Sequence, residues 1–215
     1  MRLLERVYRG RCGILLSWFA QVYAHFTQPK MIYGLWDPKT KEFRKNTRYG
    51  SNVLFVNKEN LSIGDYVYIN PYTIIDASNG ITIEDGVQIG AWVGIFTHGS
   101  ENSIRLLGKN YINIPFYERK GYTKAPVHIG KYTFIGAGVI ILPGVSIGKG
   151  CIISAGTVVN RDVPDFSILS GNPATIVRST LEIDQYFFKE TDYSATYYDK
   201  EALEKVKKLI KSKNS

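Results

Sequence analysis

With 215 residues and 44% apolar content, the chain is long enough to bury one substantial core and to carry extensions around it. Its net charge of +8 invites a polyanion, but no recognised nucleic-acid module accompanies the charge, and Lys200, Lys205, Lys207, Lys208, Lys211 and Lys213 crowd near the C-terminus as a solvated face does, so nucleic acid is not an expected partner. Two cysteines in unrelated contexts, Cys12 and Cys151, argue for reduced, hydrophobe-like thiols rather than a disulfide framework.

At the N-terminus, Arg2, Arg6, Arg9 and Arg11 precede an apolar run from Cys12 to Ala20, with Val22 and Ala24 where a cleavage site would fall. A signal peptide is one reading. Against it, Glu5 interrupts the basic region, and Leu3, Leu4, Val7, Tyr8, Leu15, Trp18, Phe19, Val22, Tyr23 and Phe26 follow a helical stripe. An amphipathic helix docked on the body of the protein or on a neighbouring subunit is therefore expected. The run is shorter than the roughly 20 apolar residues that span a bilayer. A cytoplasmic location is expected, with peripheral association at the inner face of the membrane left open.

The region from Lys30 to Asn52 mixes aromatics, cations and Asp37-Pro38 without a period and reads as a turn-rich lead-in that caps the end of the main domain. A repeat then begins. Ile63, Ile69 and Ile75 stand at every sixth position; after a slip around Asn79-Gly80 the period resumes at Ile83, Ile89 and Ile95, and again at Ile129, Ile135, Ile141, Ile147, Ile153 and Val159. A six-residue period fits neither a 3.6-residue helix nor one flat strand. It predicts short strands joined by tight corners, with about 18 residues per three-sided coil and coils stacked about 4.8 Å apart. The domain boundaries expected are 1–52 for the helix and lead-in, 53–166 for the repeat with an inserted loop at 97–126, and 167–215 for an exit segment and a final helix. That helix is predicted from Lys200 to Lys211, capped by Asp199, with Leu203, Val206, Leu209 and Ile210 buried. The aromatic stretch from Leu181 to Tyr198 is expected to pack on something.

The repeat, its interruption and the exit GNPATIVR closely resemble the hexapeptide-repeat acyltransferases, over about Ile63 to Arg178. Within them the pattern is most similar to the maltose and galactoside acetyltransferase branch and to relatives that O-acetylate sugars of bacterial surface polysaccharides. The resemblance implies an all-β solenoid, a left-handed parallel β-helix. General strand-crossover physics favours the right hand, so the handedness comes from the resemblance alone. It further implies an acetyl-CoA donor, no metal, and homotrimers whose active sites lie between subunits. The general base in the family is a histidine, which suits a hydroxyl that must lose its proton as it attacks a thioester.

Of the histidines His25, His98 and His128, His98 stands where the period opens into the insertion and is assigned the base. The galactoside-type histidine falls two positions later, at Ser100, so the match is to the junction and not the register. His128 is the second candidate, and its plain alternative is an exposed strand residue. Asn70 matches a family asparagine that holds the acceptor, Asp76 is either an acceptor ligand or a corner residue, and Glu101 is the candidate to orient the imidazole. Arg105 and Tyr122, in a basic and aromatic insertion, are assigned to the acceptor. Ala137 and Ala155 match positions lining the pantetheine arm. Asn160 and Arg161 match a polar pair beside the nucleotide, and Arg178 a cation near its 3′-phosphate; Thr175 replaces a second family cation, so Lys149 is added to that set. The competing readings are an N-acetyltransferase acting on an amino sugar nucleotide, a non-catalytic β-helix scaffold, and a zinc anhydrase on the same fold, which needs three ligating histidines where the repeat region has two without the paired spacing.

Overall fold

Each sixth-position aliphatic points inward: Ile63, Ile69, Ile75, Ile83, Ile89, Ile95, Ile129, Ile135, Ile141, Ile147, Ile153 and Val159 are all buried in one core. The computed structural model describes residues 13–212, and the expectations for Arg2, Leu3, Leu4, Glu5, Arg6, Val7, Tyr8, Arg9, Arg11, Cys12 and Lys213 fall outside them. Residues up to Lys30 form one unit and those from Met31 another. The first contains the helix α1, Gly13–Thr27, on which Ile14, Leu15, Trp18, Phe19, Tyr23 and Phe26 are exposed.

In the second unit, three sheets surround the core. Sheet C is formed by Leu61–Ile63, Ile81–Ile83, Val127–Ile129 and Ser146–Ile147, all parallel. Sheet A takes Tyr68–Ile69, Gln88–Ile89, Phe134–Ile135 and Ile152–Ile153, and sheet B takes Leu54–Val56, Ile74–Asp76, Gly94–Ile95, Ile140–Ile141 and Val158–Val159. The chain passes from C to A to B and back to C, so each coil contributes one strand to each sheet and pairs with the coils before and after it. Three columns of corners result, between C and A, between A and B, and between B and C.

The corners show why the repeat needs its small residues, and where it departs from them. A Cβ on Gly136 would lie 2.5 Å from the backbone nitrogen of Ala155, and one on Gly90 2.6 Å from that of Ala137, so coils approach too closely for any side chain there. Left-handed corner positions, by contrast, are often aromatic: Tyr66, Tyr72, Trp92, Tyr132 and Phe166 have φ between 54° and 63°. Their rings lie outside the coil, where size is tolerated; Tyr132 covers Gly86 of the coil before it. Buried Thr47, Thr73 and Thr133 donate from Oγ1 to corner carbonyls of Gly64, Gly90 and Gly148 at 2.8–3.0 Å, tying adjacent coils together.

The expected turn-rich lead-in is instead a β-hairpin, β1 (Met31–Asp37) and β2 (Glu42–Gly50), whose second strand runs parallel to Tyr68–Ile69 and extends sheet A. Asp37 explains its attachment. The residue is fully buried and accepts the backbone amides of Lys39, Thr40 and Ile63 at 2.9–3.2 Å. At the other end Ser167–Ser170 pairs with Ile152–Ile153 and turns back through Thr175–Ser179. The aromatic stretch contains a helix that the sequence did not announce, Thr180–Glu190, capped by Ser179 Oγ, which accepts from Leu181 N at 3.3 Å. The last helix, Lys200–Ser212, is capped as expected: Asp199 Oδ1 accepts from Ala202 N at 2.8 Å. Its most buried residues are Ala202 and Val206, with Leu203, Leu209 and Ile210 half-buried beside them.

Candidate active site

His98 lies where the coil leaves sheet B after Gly94–Ile95 and the insertion begins. Its backbone is fixed by a two-residue antiparallel ladder in which His98 opposes Lys124 and Gly99 opposes Thr123, so the insertion leaves and returns at one point. Asp76 ends the sheet B strand of the preceding coil, directly beneath. His98 Nδ1 lies 2.7 Å from Asp76 Oδ2; the carboxylate is nearly inaccessible and the imidazole is about one-third exposed. The oxygen approaches outside the ideal N–H direction, so the contact is a close polar one and not an aligned hydrogen bond. Even so, a lone pair on Nδ1 would repel the carboxylate. The contact favours the tautomer with its proton on Nδ1 and a lone pair on Nε2.

Asp76 is itself held. Its Oδ1 accepts from the backbone amide of Ser78 at 3.1 Å and from Ser78 Oγ at 2.5 Å, while its carbonyl accepts from Thr97 Oγ1 at 2.8 Å. Asn79 closes the corner, donating its amide to Thr97 Oγ1 and its Nδ2 to the Thr97 carbonyl, both at 3.0 Å. On the outer side Tyr122 stacks on the imidazole with centroids 5.7 Å apart and planes within 10°. Burial first, and then the neighbouring Tyr111, raise the pKa of the Tyr122 phenol, which stays protonated. A cavity of about 240 Å³ opens here, lined by Asn57, Ser78, Asn79, His98, Phe116 and Tyr122. Asn57, Ser78, Asn79 and Phe116 were not assigned from the sequence. The trace of Ser78 and Asn79 there is the slip in the period at Asn79-Gly80.

Several assigned residues lie elsewhere. Glu101 does not reach the imidazole: it accepts from Thr123 Oγ1 at 2.9 Å, and Asp76 occupies the place beside Nδ1 that Glu101 was expected to fill. Arg105 is consumed within the insertion, donating to the Glu101 carbonyl at 2.7 Å and Asn102 Oδ1 at 2.6 Å. Asn70 sits in the A–B column of corners, donating to the Ile89 carbonyl at 3.0 Å, and the single chain does not bring it to His98. His128 lies on the outer face of sheet C with Nε2 3.2 Å from Glu84 Oε1, the exposed strand residue of its alternative reading.

The assigned cofactor residues are likewise spread over the surface. Ala137 and Ala155 stack in the A–B column, where Gly156 N donates to the Ala137 carbonyl at 2.9 Å and a Cβ on Gly156 would meet nothing within 4 Å, leaving a bare ledge. Asn160 and Arg161 are in the B–C column, above His98, and Arg161 Nη2 donates to the Ala174 carbonyl beside a cavity of about 270 Å³. Lys149 is not available: its ammonium pairs with Asp199 at 2.8 Å and Glu201 at 3.2 Å, anchoring the last helix to the C–A column. Arg178 pairs with Glu182 at 3.2 Å on the exposed edge of sheet A. Cys151 is buried, and burial pushes its thiol up to about 11, which leaves it protonated and unsuited to attack. Among the described residues no cluster of His, Cys, Asp or Glu is arranged to hold a metal ion.

The family described as bacterial transferase hexapeptide (six repeats) matches residues 126–161. A Saccharomyces cerevisiae protein that bears an acetyltransferase name is 38% identical over 138 residues, covering 63% of this chain, and the chain spans 60% of that relative's length. Among solved structures, a maltose O-acetyltransferase from Clostridium difficile 630 is similar at 29% identity and a TM-score of 0.52, over 60% of this chain and 64% of that one. A galactoside acetyltransferase in complex with coenzyme A is similar at 28% identity and a TM-score of 0.50, over 69% of this chain and 64% of that one. The chain is thus similar to bacterial hexapeptide transferases over residues 126–161 and, over about 60–70% of its length, to proteins named as acetyltransferases.

Proposed function

We propose that the chain transfers an acetyl group from acetyl-CoA to a hydroxyl of a sugar, with His98 as general base in a direct attack within a ternary complex. The observation that carries this reading is the Asp76–His98 pair opening on a cavity with Tyr122 as its wall. In it, Nε2 takes the proton of the acceptor hydroxyl as its oxygen bonds to the thioester carbonyl carbon; the carbon–sulfur bond then breaks and the thiolate of coenzyme A leaves. Asp76 keeps Nδ1 protonated and stabilises the imidazolium that forms. With their amide nitrogens donating to Ser78 Oγ and the Thr97 carbonyl, Asn57 and Asn79 offer their side-chain oxygens to a sugar's hydroxyls, and Phe116 offers a ring for its apolar face. The similarity to maltose and galactoside acetyltransferases supports the same acceptor class, and the winding is read as left-handed on that basis. Bacterial surface polysaccharide precursors remain within this class.

A homotrimer accounts for the separation of the assigned residues. The outer face of sheet B is apolar, with Leu54 and Ile74 exposed and Ile140 and Val158 half-buried along it, flanked by exposed Tyr72 and Trp92. Sheet C presents Ser62, Thr82, His128 and Ser146 in register instead. Sheet B is therefore the face to bury against copies. Three copies with sheet B toward a common axis bring the B–C corners of one against the A–B corners of the next. His98 and Arg161 of one subunit would then face Asn70, Ala137 and Ala155 of its neighbour, with acetyl-CoA between them.

The test is thiol release from acetyl-CoA with a panel of sugars, sugar nucleotides and polysaccharide oligomers, with the product identified by its bond. A base-labile acetyl ester on a sugar supports the reading. Reaction with amines alone, giving stable amides, would replace it with N-acetylation.

A further inference from the structure

A cavity of about 420 Å³ lies away from His98, on the C–A column of corners, and acetyl transfer at His98 makes no use of it. It is built by the C-terminal segment folding back on the repeat. On the helix Thr180–Glu190, Asp184 and Phe188 stand four residues apart and so share a face. A turn in which Tyr197 N donates to the Tyr193 carbonyl at 2.9 Å brings Tyr193, Tyr197 and Tyr198 opposite them. Tyr132, on its left-handed corner, supplies the floor, with its ring 5.0 Å from that of Tyr198. Gly150, one coil on, makes the room: a Cβ there would lie 2.0 Å from the Tyr198 hydroxyl oxygen.

Two polar groups in this aromatic enclosure are incompletely used. Asp184 Oδ2 accepts from the Tyr197 hydroxyl at 2.5 Å, and among the described residues no Lys or Arg pairs with the carboxylate. The Tyr198 hydroxyl is buried and has no hydrogen bond of normal geometry; Tyr197, turned toward Asp184, is close enough to influence it but not aligned to bond it. Burial holds the Asp184 carboxyl above the usual carboxylate range, as expected for an anion placed among rings without a counter-charge. A half-buried carboxylate in a cavity lined by the rings of Phe188, Tyr193, Tyr197 and Tyr132 gives a site that favours a cation with an apolar surface.

We propose that this cavity binds a small organic cation, a substituted or quaternary ammonium group, with Asp184 as counter-ion and the tyrosine and phenylalanine rings as walls. The volume suits a ligand of this kind, and the cavity shares no lining residue with the one at His98.

The test uses the full chain without acetyl-CoA, and choline with its uncharged isostere 3,3-dimethyl-1-butanol as probes in isothermal titration. Saturable binding of choline at one site per chain is expected, with the isostere at least about tenfold weaker because only the charge differs. Asp184→Asn should weaken choline at least tenfold, while Tyr197→Phe, which frees Asp184 Oδ2, should hold or tighten it. If Asp184→Asn fails to fold, the choline–isostere comparison on the unaltered chain decides. Equal binding of the two probes, no saturable choline binding, choline affinity unchanged in Asp184→Asn, or saturation by a neutral pyranose in place of choline would each overturn the assignment.

Discussion

His98 and Asp76 belong to successive coils, and the 2.7 Å between Nδ1 and Oδ2 exists because the coils are stacked in register on sheet B. The proposed mechanism makes the carboxylate a positioning group. On the proposed mechanism it acts through the imidazole it touches, so its removal should lower kcat and leave the KM for acetyl-CoA unchanged. Asp76→Asn keeps the size and the Ser78 contact but loses the charge, and is expected to reduce kcat by about 10- to 100-fold, a part of what general base catalysis supplies. A rise in the KM for acetyl-CoA with kcat intact would assign Asp76 to binding instead.

Tyr122 is expected to act through its ring and not its hydroxyl, because it stacks on His98 and its phenol stays protonated. Tyr122→Phe should retain most of the kcat/KM for the acceptor, whereas Tyr122→Ala should lose on the order of tenfold, the worth of one aromatic contact. Steady-state kinetics on both variants separates the two. Equal losses would point to the hydroxyl.

Asp37 should make the hairpin cap sensitive to acid. Burial works to raise its pKa, but the amides of Lys39, Thr40 and Ile63 together outweigh it and leave the carboxyl below its ordinary 3.8. A depressed folded value means that the unfolded state takes up the proton first, so this stabilisation is complete above about pH 4 and is lost as pH falls through the folded pKa. Thermal melting from pH 6 downward should show the decline, and Asp37→Ala should flatten that part of the curve at a cost of about 2–4 kcal/mol at neutral pH. An unaltered acid profile in the variant would refute the role.

Two glycine corners should respond differently to the same change. Gly136→Ala would drive a methyl group into the backbone of Ala155, whereas Gly156→Ala meets open space and is strained only by its φ of +72°. Urea unfolding should show about 3 kcal/mol lost at Gly136 and about 1 kcal/mol at Gly156. Equal losses would mean that coil spacing is not what the first glycine protects.

The sixth-position aliphatics made the core and its sheets legible, because each inward residue is fixed by the period alone. His98 was legible for the opposite reason, as the point where that period fails. What sequence could not reveal was register between coils. Glu101, close to His98 along the chain, is the partner the sequence suggests, and only the stacking of one coil on another brings Asp76 beside the imidazole instead. Lys149 shows the same limit: its cation is spent on Asp199 and Glu201, about fifty residues further on. The hairpin at Met31–Gly50 was read as turns because its alternation is broken by Gly34, where the register shifts, and because its strands owe their place to the buried Asp37. The helix at Thr180–Glu190 was hidden by aromatic residues that serve a cavity rather than a regular apolar stripe.

The central claim is that His98 removes the acceptor proton. Once an acceptor is identified, thiol release from acetyl-CoA by the His98→Ala protein measures it most directly, with melting temperature followed in parallel because the partly exposed imidazole contributes little to the core. The predicted result is a fall in kcat of about 10²- to 10⁴-fold with folding intact. Turnover within a factor of about two of the unaltered chain, in a folded protein, would contradict the account.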